Sequence, residues 1–168
     1  PFSVFKPSGL GRFELFQKVT EKIELSNQEV IEWSQVKKRF DVASNSASQA
    51  NIKLLIDAEE SWMQRAADEL CTDLMAKYNQ KKVVVFNTLQ CYRWDRLDFL
   101  KAEHKKALAN GYKLGYKIVR GAYLEKENER AESMGYKSPI CETKEATDNC
   151  FNEVLNYILN NLILLEFY

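Results

Sequence analysis

The sequence predicts an α/β fold built around a parallel sheet. Short apolar runs alternate with helical patterns of three or more turns, and the units repeat at about thirty residues, the size of one βαβ step. The run Val83–Phe86 is continuous and rich in β-branched residues, which is typical of a strand buried on both faces. Strands are therefore expected over Phe2–Phe5, Lys53–Ile56, Val83–Phe86 and Leu114–Val119.

Apolar residues that recur at spacings of three and four predict the helices between these strands. They are expected over residues 13–23, Glu29–Phe40, Ala58–Tyr78, Trp94–Leu108 and Thr143–Leu159. Ser26 followed by Glu29 is the pattern of a capping box, and Gly111 suits the end of a helix. Ser44–Ala50 is interpreted as a loop or short helix, and the charged series Glu125–Glu132 as a solvated helix face with i,i+4 ion pairs.

Composition and charge exclude several classes of function. The chain has 168 residues, with 24 basic and 24 acidic side chains, so it lacks the basic footprint of a nucleic-acid-binding protein. The four cysteines form no C-x-x-C pair and there is one histidine, so no metal site is predicted and the cysteines are expected to be free. No apolar run approaches the ~20 residues of a membrane span.

The two ends of the chain predict a partial domain. The sequence begins with Pro1 at an apparent strand, and Leu162–Tyr168 is an apolar run without a polar cap. We therefore expect residues 1–168 to form one domain that is truncated at both ends, with no internal linker.

Polar side chains follow or end each predicted strand. Lys6 follows the first, Asp57 the second, and Asn87 to Gln90 the third, while the fourth contains Lys117 and runs into Arg120–Tyr123. In parallel α/β folds, ligands bind outside the carboxyl ends of the strands, and in barrels the same end carries catalysis. Four such strands in succession predict a site at this edge of the sheet.

These groups limit the chemistry of the site. Lys6 and Lys117 can bind an anion or stabilise the negative charge of a reduced cofactor, and Asp57 can fix a lysine. Gln90 both donates and accepts hydrogen bonds, which suits the edge of a heteroaromatic ring. Gly121–Ala122 would let a flat ligand approach the backbone, although no Gly-rich phosphate loop is present. From these residues alone, an aldolase that uses Lys6 or Lys117 as a Schiff-base lysine remains open.

Four motifs then carry a resemblance to a known family. Asp57–Trp62, Phe86–Tyr92, Lys117–Tyr123 and Gly135–Ile140 occur in this order. Together they resemble the single-function proline dehydrogenases of bacteria, also called proline oxidases, from Phe2 to about Asn160. The resemblance implies an incomplete (βα)8 barrel of the TIM type, containing about strands two to five of eight with their helices. It also implies FAD as cofactor and oxidation of L-proline to Δ1-pyrroline-5-carboxylate, the first step of proline breakdown to glutamate.

The resemblance also implies roles for individual residues. Lys6 is expected to contact the proline carboxylate and to be held by Asp57, and these two with Lys117 are the expected catalytic residues. The expected FAD contacts are Ala58, Gln90, Lys117, Gly121, Ala122 and Tyr123, with Lys144 and Thr147 on the adenine dinucleotide part. Lys117 takes a position that is arginine in some members.

Several parts of the family's site are not in the sequence. The His-Asn pair of the sixth strand and the late arginine pair that clamps the substrate carboxylate are absent, so the isolated chain is expected to be inactive. Four strands cannot close a barrel and leave two exposed sheet edges, so the chain is also expected to be marginally stable or prone to aggregation. A non-catalytic truncated paralogue therefore stays open as an alternative. For the parent enzyme, the resemblance implies a quinone electron acceptor and peripheral membrane contact. Its expected location is the cytoplasm or inner membrane in bacteria and the mitochondrion in eukaryotes.

Overall fold

The sheet consists of parallel strands that follow one another in chain order. A computed structural model describes residues 2–162 with their side chains and residues 165–167 by their backbone. These residues form the sheet β1-β2-β3-β4-β5, with β1 at Phe2–Phe5, β2 at Lys53–Ile56, β3 at Val85–Gln90, β4 at Leu114–Val119 and β5 at Leu165–Phe167. Parallel strands in sequential order form the wall of a (βα)8 barrel, whereas a doubly wound sheet reverses its order. The predicted α/β class and partial barrel are thus confirmed.

Helices connect the strands on one side of the sheet. They are α1 at Phe13–Glu21, α2 at Asn27–Ala50, α3 at Ser61–Tyr78, α4 at Arg96–Asn110, α5 at Leu124–Met134 and α6 at Lys144–Leu159, with a 3-10 turn at Pro7–Gly9. The capping box is confirmed, because Ser26 Oγ accepts from the Glu29 amide and the Glu29 carboxylate accepts from the Ser26 amide. Gly111 ends α4 in the left-handed conformation at φ 70°, as predicted.

The third strand lies further along the chain than the sequence predicted. The amides of Val84 and Val85 donate to Asn79 Oδ1 at 2.9 Å each, so these two amides are bonded to a side chain and β3 begins only at Val85. Residues 87–90, which were expected to follow the strand, instead pair with Tyr116–Val119 of β4. Polar side chains are tolerated here because they find partners, such as Asp68 for the amide of Asn87.

Two further boundaries differ from the predictions. Ser44–Ala50, interpreted as a loop or short helix, continues α2, because Ser44 and Ala47 are small enough to be buried against the core and the Ser44 hydroxyl donates to the Phe40 carbonyl. The apolar tail adds β5, a strand that was not predicted, beside Leu114–Tyr116. The expected truncation depends on the two termini. These termini, Pro1 and residues 163–168, lie outside the part of the chain that is described with side chains.

The main core lies between the sheet and the helices. Phe16 of α1 is fully buried, with its ring centroid 5.1 Å from that of Trp33 and 6.1 Å from that of Phe40. Burying a side chain of this size contributes about 1.5–3 kcal/mol. Met63 and Met75 of α3 are also fully buried in this cluster. The cluster fixes the backs of the strands, so that their carboxyl ends can carry polar groups.

Gly115 of β4 has no room for a side chain beside the start of β3. A Cβ atom there would lie 2.5 Å from Val83 Cγ1 and 2.8 Å from the Val85 carbonyl oxygen. Because backbone cannot move aside as a flexible side chain can, Gly115→Ala is expected to lower the free energy of unfolding by about 1–3 kcal/mol. Chemical denaturation measures this. Gly9→Ala is the matched control, since a Cβ atom at Gly9 meets nothing within 4 Å; equal stability of the two variants would contradict the prediction.

Candidate functional site

A cavity of about 260 Å³ opens at the carboxyl ends of β1 to β4. Thr88 and Gln90 of β3 lie opposite Lys117 and Val119 of β4 and point to the same face, because alternate residues of a strand share a face. The loops that follow the strands supply the other walls. The lining residues are Lys6, Asp57, Ala58, Thr88, Gln90, Tyr92, Lys117, Val119, Gly121, Ala122 and Tyr123.

An ion pair between Asp57 and Lys117 lies in this cavity. Lys117 Nζ is 2.5 Å from Asp57 Oδ1, and the two side chains are 25% and 23% exposed. The Asp57 amide donates to the Phe5 carbonyl at 3.0 Å, which fixes the residue directly beyond β2. Asp57 was expected to hold Lys6; it instead forms its ion pair with Lys117 and acts on Lys6 only electrostatically. Lys117 lies within β4 and faces the cavity, whereas Lys6 lies on an exposed turn that directs it towards the loop after β4.

Lys6 instead has Tyr123 as its partner. Lys6 Nζ donates to the Tyr123 hydroxyl at 3.1 Å. That hydrogen bond is the main cause that raises the pKa of Lys6, and Glu59 and Asp57 add to it, while partial burial opposes it. The ammonium group is therefore retained at neutral pH. Beside it, Glu59 accepts from both the amide and the hydroxyl of Ser8 at 2.8 and 2.7 Å, which holds the turn that carries Lys6.

Gln90 lines the cavity but its amide is already bonded. Gln90 is 1% exposed, and its Nε2 donates to the Glu59 carbonyl at 2.6 Å and to the Tyr92 hydroxyl at 2.8 Å. Its Oε1 accepts from Arg93 at 3.3 Å. Burial raises the pKa of Tyr92, so that hydroxyl stays neutral. Both amide protons of Gln90 therefore hold the wall of the cavity, and only a lone pair of Oε1 remains for a ligand.

Small residues leave one side of the cavity open. Ala58 follows Asp57 directly and is 8% exposed, and Gly121 and Ala122 follow β4. A Cβ atom built at Gly121 meets nothing within 4 Å. A flat ligand can therefore approach the backbone of both loops, as the residue types predicted.

Lys144 and Thr147 do not line this cavity. They lie in the first turns of α6, where Lys144 pairs with Asp148 at 2.5 Å. Asp148 also pairs at 3.3 Å with Arg120, which connects this part of α6 to the end of β4. Thr147 is 9% exposed and its hydroxyl faces the thiol of Cys141.

Sequence reasoning missed the carboxylates that join the loops. Glu127, placed in a solvated helix face, is 1% exposed and binds Ser61 with both oxygens. Its neighbour Lys126 pairs with Glu60 of another loop, and not at i,i+4 on its own helix. The sequence carried no signal for this, because a run of charged residues looks the same whether or not one of them is buried against a neighbouring helix.

The described residues contain neither a metal-binding cluster nor a membrane-spanning helix. No group of three or more His, Cys, Asp or Glu side chains is placed to hold a metal ion. Within the same residues, no helix is both long and apolar enough to cross a membrane.

Comparison with known sequences gives one consistent family. The model of the family "Proline dehydrogenase" matches residues 11–166. Human mitochondrial proline dehydrogenase 1 is 35% identical over 137 residues, which cover 82% of this chain and 23% of the human protein. The carbapenem antibiotics biosynthesis protein CarD of Pectobacterium carotovorum subsp. carotovorum is 34% identical over 158 residues, or 94% of this chain and 41% of that protein.

Solved structures show the same fold. Proline utilization A from Bdellovibrio bacteriovorus, inactivated by N-propargylglycine, superposes with a TM-score of 0.83 at 18% identity, over 98% of this chain and 16% of that one. A variant of proline utilization A from Bradyrhizobium japonicum gives a TM-score of 0.82 at 19% identity, over 99% and 16%. The chain thus spans less than half the length of each of these relatives and structures.

Proposed function

Because the chain belongs to the proline dehydrogenase family, we propose that it provides part of an FAD-dependent site that oxidises L-proline to Δ1-pyrroline-5-carboxylate. The family is generally flavin-dependent and proline is its substrate. The observation that carries the proposal is the cavity at the strand ends, in which the Asp57–Lys117 ion pair lies beside Ala58 and Gly121.

The residues of the cavity fit a flavin ring. Ala58, Gly121 and Ala122 leave space for a flat aromatic group, and Lys117 provides a cation on the adjoining wall. When bound, the flavin supplies the hydride acceptor. Lys117 would stabilise negative charge on the ring, and Asp57 holds the lysine in place. Gln90 would contact the ring edge through Oε1, while its amide protons keep the loop after β2 against β3.

Lys6 is the proposed partner of the substrate carboxylate. Its raised pKa keeps it an ammonium, and the Tyr123 hydroxyl holds it beside the cavity. These features also disfavour the alternative of a Schiff-base aldolase. A Schiff-base lysine must be a neutral amine to attack a carbonyl, whereas Lys6 is stabilised as a cation and Lys117 is ion-paired.

We propose that the dinucleotide part of FAD lies over the first turn of α6. Lys144 is exposed there, and the amino end of a helix favours phosphate. Thr147 is the weaker candidate because it is buried against Cys141, and its contact would require the ligand to approach its small exposed surface.

The chain is proposed as a partial barrel, residues 1–168, whose remaining site residues lie on further strands. The missing carboxylate clamp leads us to propose that this chain alone does not turn over proline.

We propose a membrane quinone as electron acceptor, reached by peripheral contact. Eukaryotic relatives are mitochondrial; for a bacterial source we propose the cytoplasm or the inner face of the inner membrane.

The test is flavin binding by the purified 168-residue chain. We expect FAD absorbance to co-purify or FAD fluorescence to be quenched on titration, and L-proline to leave the bound flavin oxidised. A chain that is folded by circular dichroism but binds no FAD would contradict the proposed site. Dye-linked oxidation of proline by this chain would contradict its proposed inactivity. Borohydride trapping of a carbonyl compound on Lys6 or Lys117 would favour the aldolase instead.

A further inference from the structure

Glu127 is a buried carboxylate in a helix whose other acidic residues are exposed. It is 1% exposed, and its two oxygens accept from the amide and the hydroxyl of Ser61, each at 2.6 Å. The two residues are 66 positions apart in the chain, and the contact joins the first turns of α3 and α5, which directly follow two separate loops. Burying a carboxylate costs free energy unless hydrogen bonds replace its hydration. Loss of the contact with Ser61 would therefore leave a buried charge without hydrogen-bond donors.

The contact completes the amino end of α3. Ser61 is the first residue of that helix, and its N-cap, Glu60, makes no side-chain capping bond. The first amides of a helix lack partners within it, and the helix dipole favours a negative charge beside them. Glu127 therefore acts as a cap supplied by another helix. The nearby pair of Lys126 with Glu60 joins the same elements, but Lys126 is 63% exposed and contributes less.

Glu127 is connected to both walls of the cavity, through its carboxylate to one and through its backbone amide to the other. On one side, Ser61 begins the helix directly after the loop that contains Asp57 and Ala58. On the other, the Glu127 amide donates to the Tyr123 carbonyl at 2.9 Å, which begins α5. Tyr123 has a left-handed backbone at φ 61°, which is unfavourable for a residue with a side chain and persists only when its surroundings hold it. Its hydroxyl is the partner of Lys6.

We infer that Glu127 is a positioning residue that holds the loop after β4 against the loop after β2 and so keeps Tyr123, Asp57 and Ala58 in register around the cavity. The inference rests on the proposed function in assigning that cavity to FAD and proline. The contact itself and its effect on the two loops do not depend on that assignment.

The test uses the 168-residue chain with Glu127→Gln, because a carboxamide keeps the shape but faces one of its two donors with an NH2 group. Hydrogen–deuterium exchange is measured for the Ser61 amide and for residues 121–127. We expect exchange to be faster by about tenfold or more at both, since loss of one charge-assisted bond changes a local equilibrium by at least that factor. Glu129→Gln, an exposed acid on the same helix, is the matched control and should leave exchange unchanged.

A second variant guards against loss of folding. Ser61→Ala removes only the hydroxyl donor and should give a smaller change in the same two segments, and the double variant should change exchange by less than the sum of the singles. The inference is overturned if Glu127→Gln, folded by circular dichroism, exchanges like wild type at residues 121–127. FAD titration is a separate measurement. If Glu127→Gln binds FAD more weakly while the Glu129→Gln control binds it like wild type, the link between Glu127 and the cavity is supported. If the wild-type chain binds no FAD, the proposed function is overturned, and the exchange result alone decides the role of Glu127.

Discussion

Asp68→Ala is expected to lower the free energy of unfolding by about 3–5 kcal/mol, because it leaves two buried amides without an acceptor and removes one of the two carboxylates that pair with a buried arginine. Asp68 of α3 is 5% exposed. Its Oδ1 accepts from Gln64 and Asn87 at 2.9 Å each, and its Oδ2 accepts from Arg96 at 3.1 Å. One carboxylate thus joins α3, β3 and α4 behind the cavity.

This loss is large relative to the stability of the chain. Small domains are stable by about 5–15 kcal/mol, so the midpoint of unfolding is expected to fall well below that of the wild type. Arg96 keeps a bidentate contact with Asp95, which limits the loss to the lower half of that range. The arginine also prevents simple replacement by an apolar residue, because its charge stays buried.

Urea denaturation followed by circular dichroism measures the loss. Asp73→Ala is the matched control, since Asp73 is an exposed carboxylate on the same helix. Asp68→Asn should fall between the two, because a carboxamide oxygen still accepts from Asn87 while its amide group faces Arg96. A midpoint for Asp68→Ala within experimental error of that for Asp73→Ala would show that the network adds nothing to stability.

Lys117→Met is expected to weaken FAD binding by about tenfold or more. The change removes the cation from the cavity wall and leaves the Asp57 carboxylate without its partner, so a ligand that carries negative charge loses an attraction and meets a repulsion. A hydrogen bond to a charged group contributes about 1.5–3 kcal/mol, which corresponds to a factor of roughly ten or more in affinity.

Fluorescence titration with FAD measures this change, and two further variants separate its causes. Lys105→Met removes an exposed lysine of α4 and should bind FAD like wild type. The double variant Asp57→Asn with Lys117→Met removes the unpaired charge, so it should regain stability relative to Lys117→Met but not affinity. If the double variant bound FAD as well as wild type does, Lys117 would have only a structural role.

Much of the architecture followed from the sequence alone. The alternation of apolar runs with helical periodicity gave the parallel α/β class, because burial on two faces of a strand and on one face of a helix leaves a local pattern of side chains. The capping box at Ser26 and the helix end at Gly111 were also correct, since each depends only on residues within a few positions. Lys6, Asp57, Lys117 and Tyr123 were expected to meet because parallel strands bring their carboxyl ends together.

The pairings within the site were decided only by the tertiary structure. Asp57 pairs with Lys117, 60 positions away, and not with Lys6, because the face on which a side chain emerges and the direction of a loop set the distance between charges. Glu127 is buried for the same kind of reason, because the amino end of α3 packs against this side chain of a helix whose other acidic residues are exposed. Local periodicity records which residues are apolar, but the partner of a polar residue is fixed by contacts between distant parts of the chain. The sequence by itself therefore determined the class of fold and the edge of the sheet where the candidate site lies, and the folded chain determined which charges meet there.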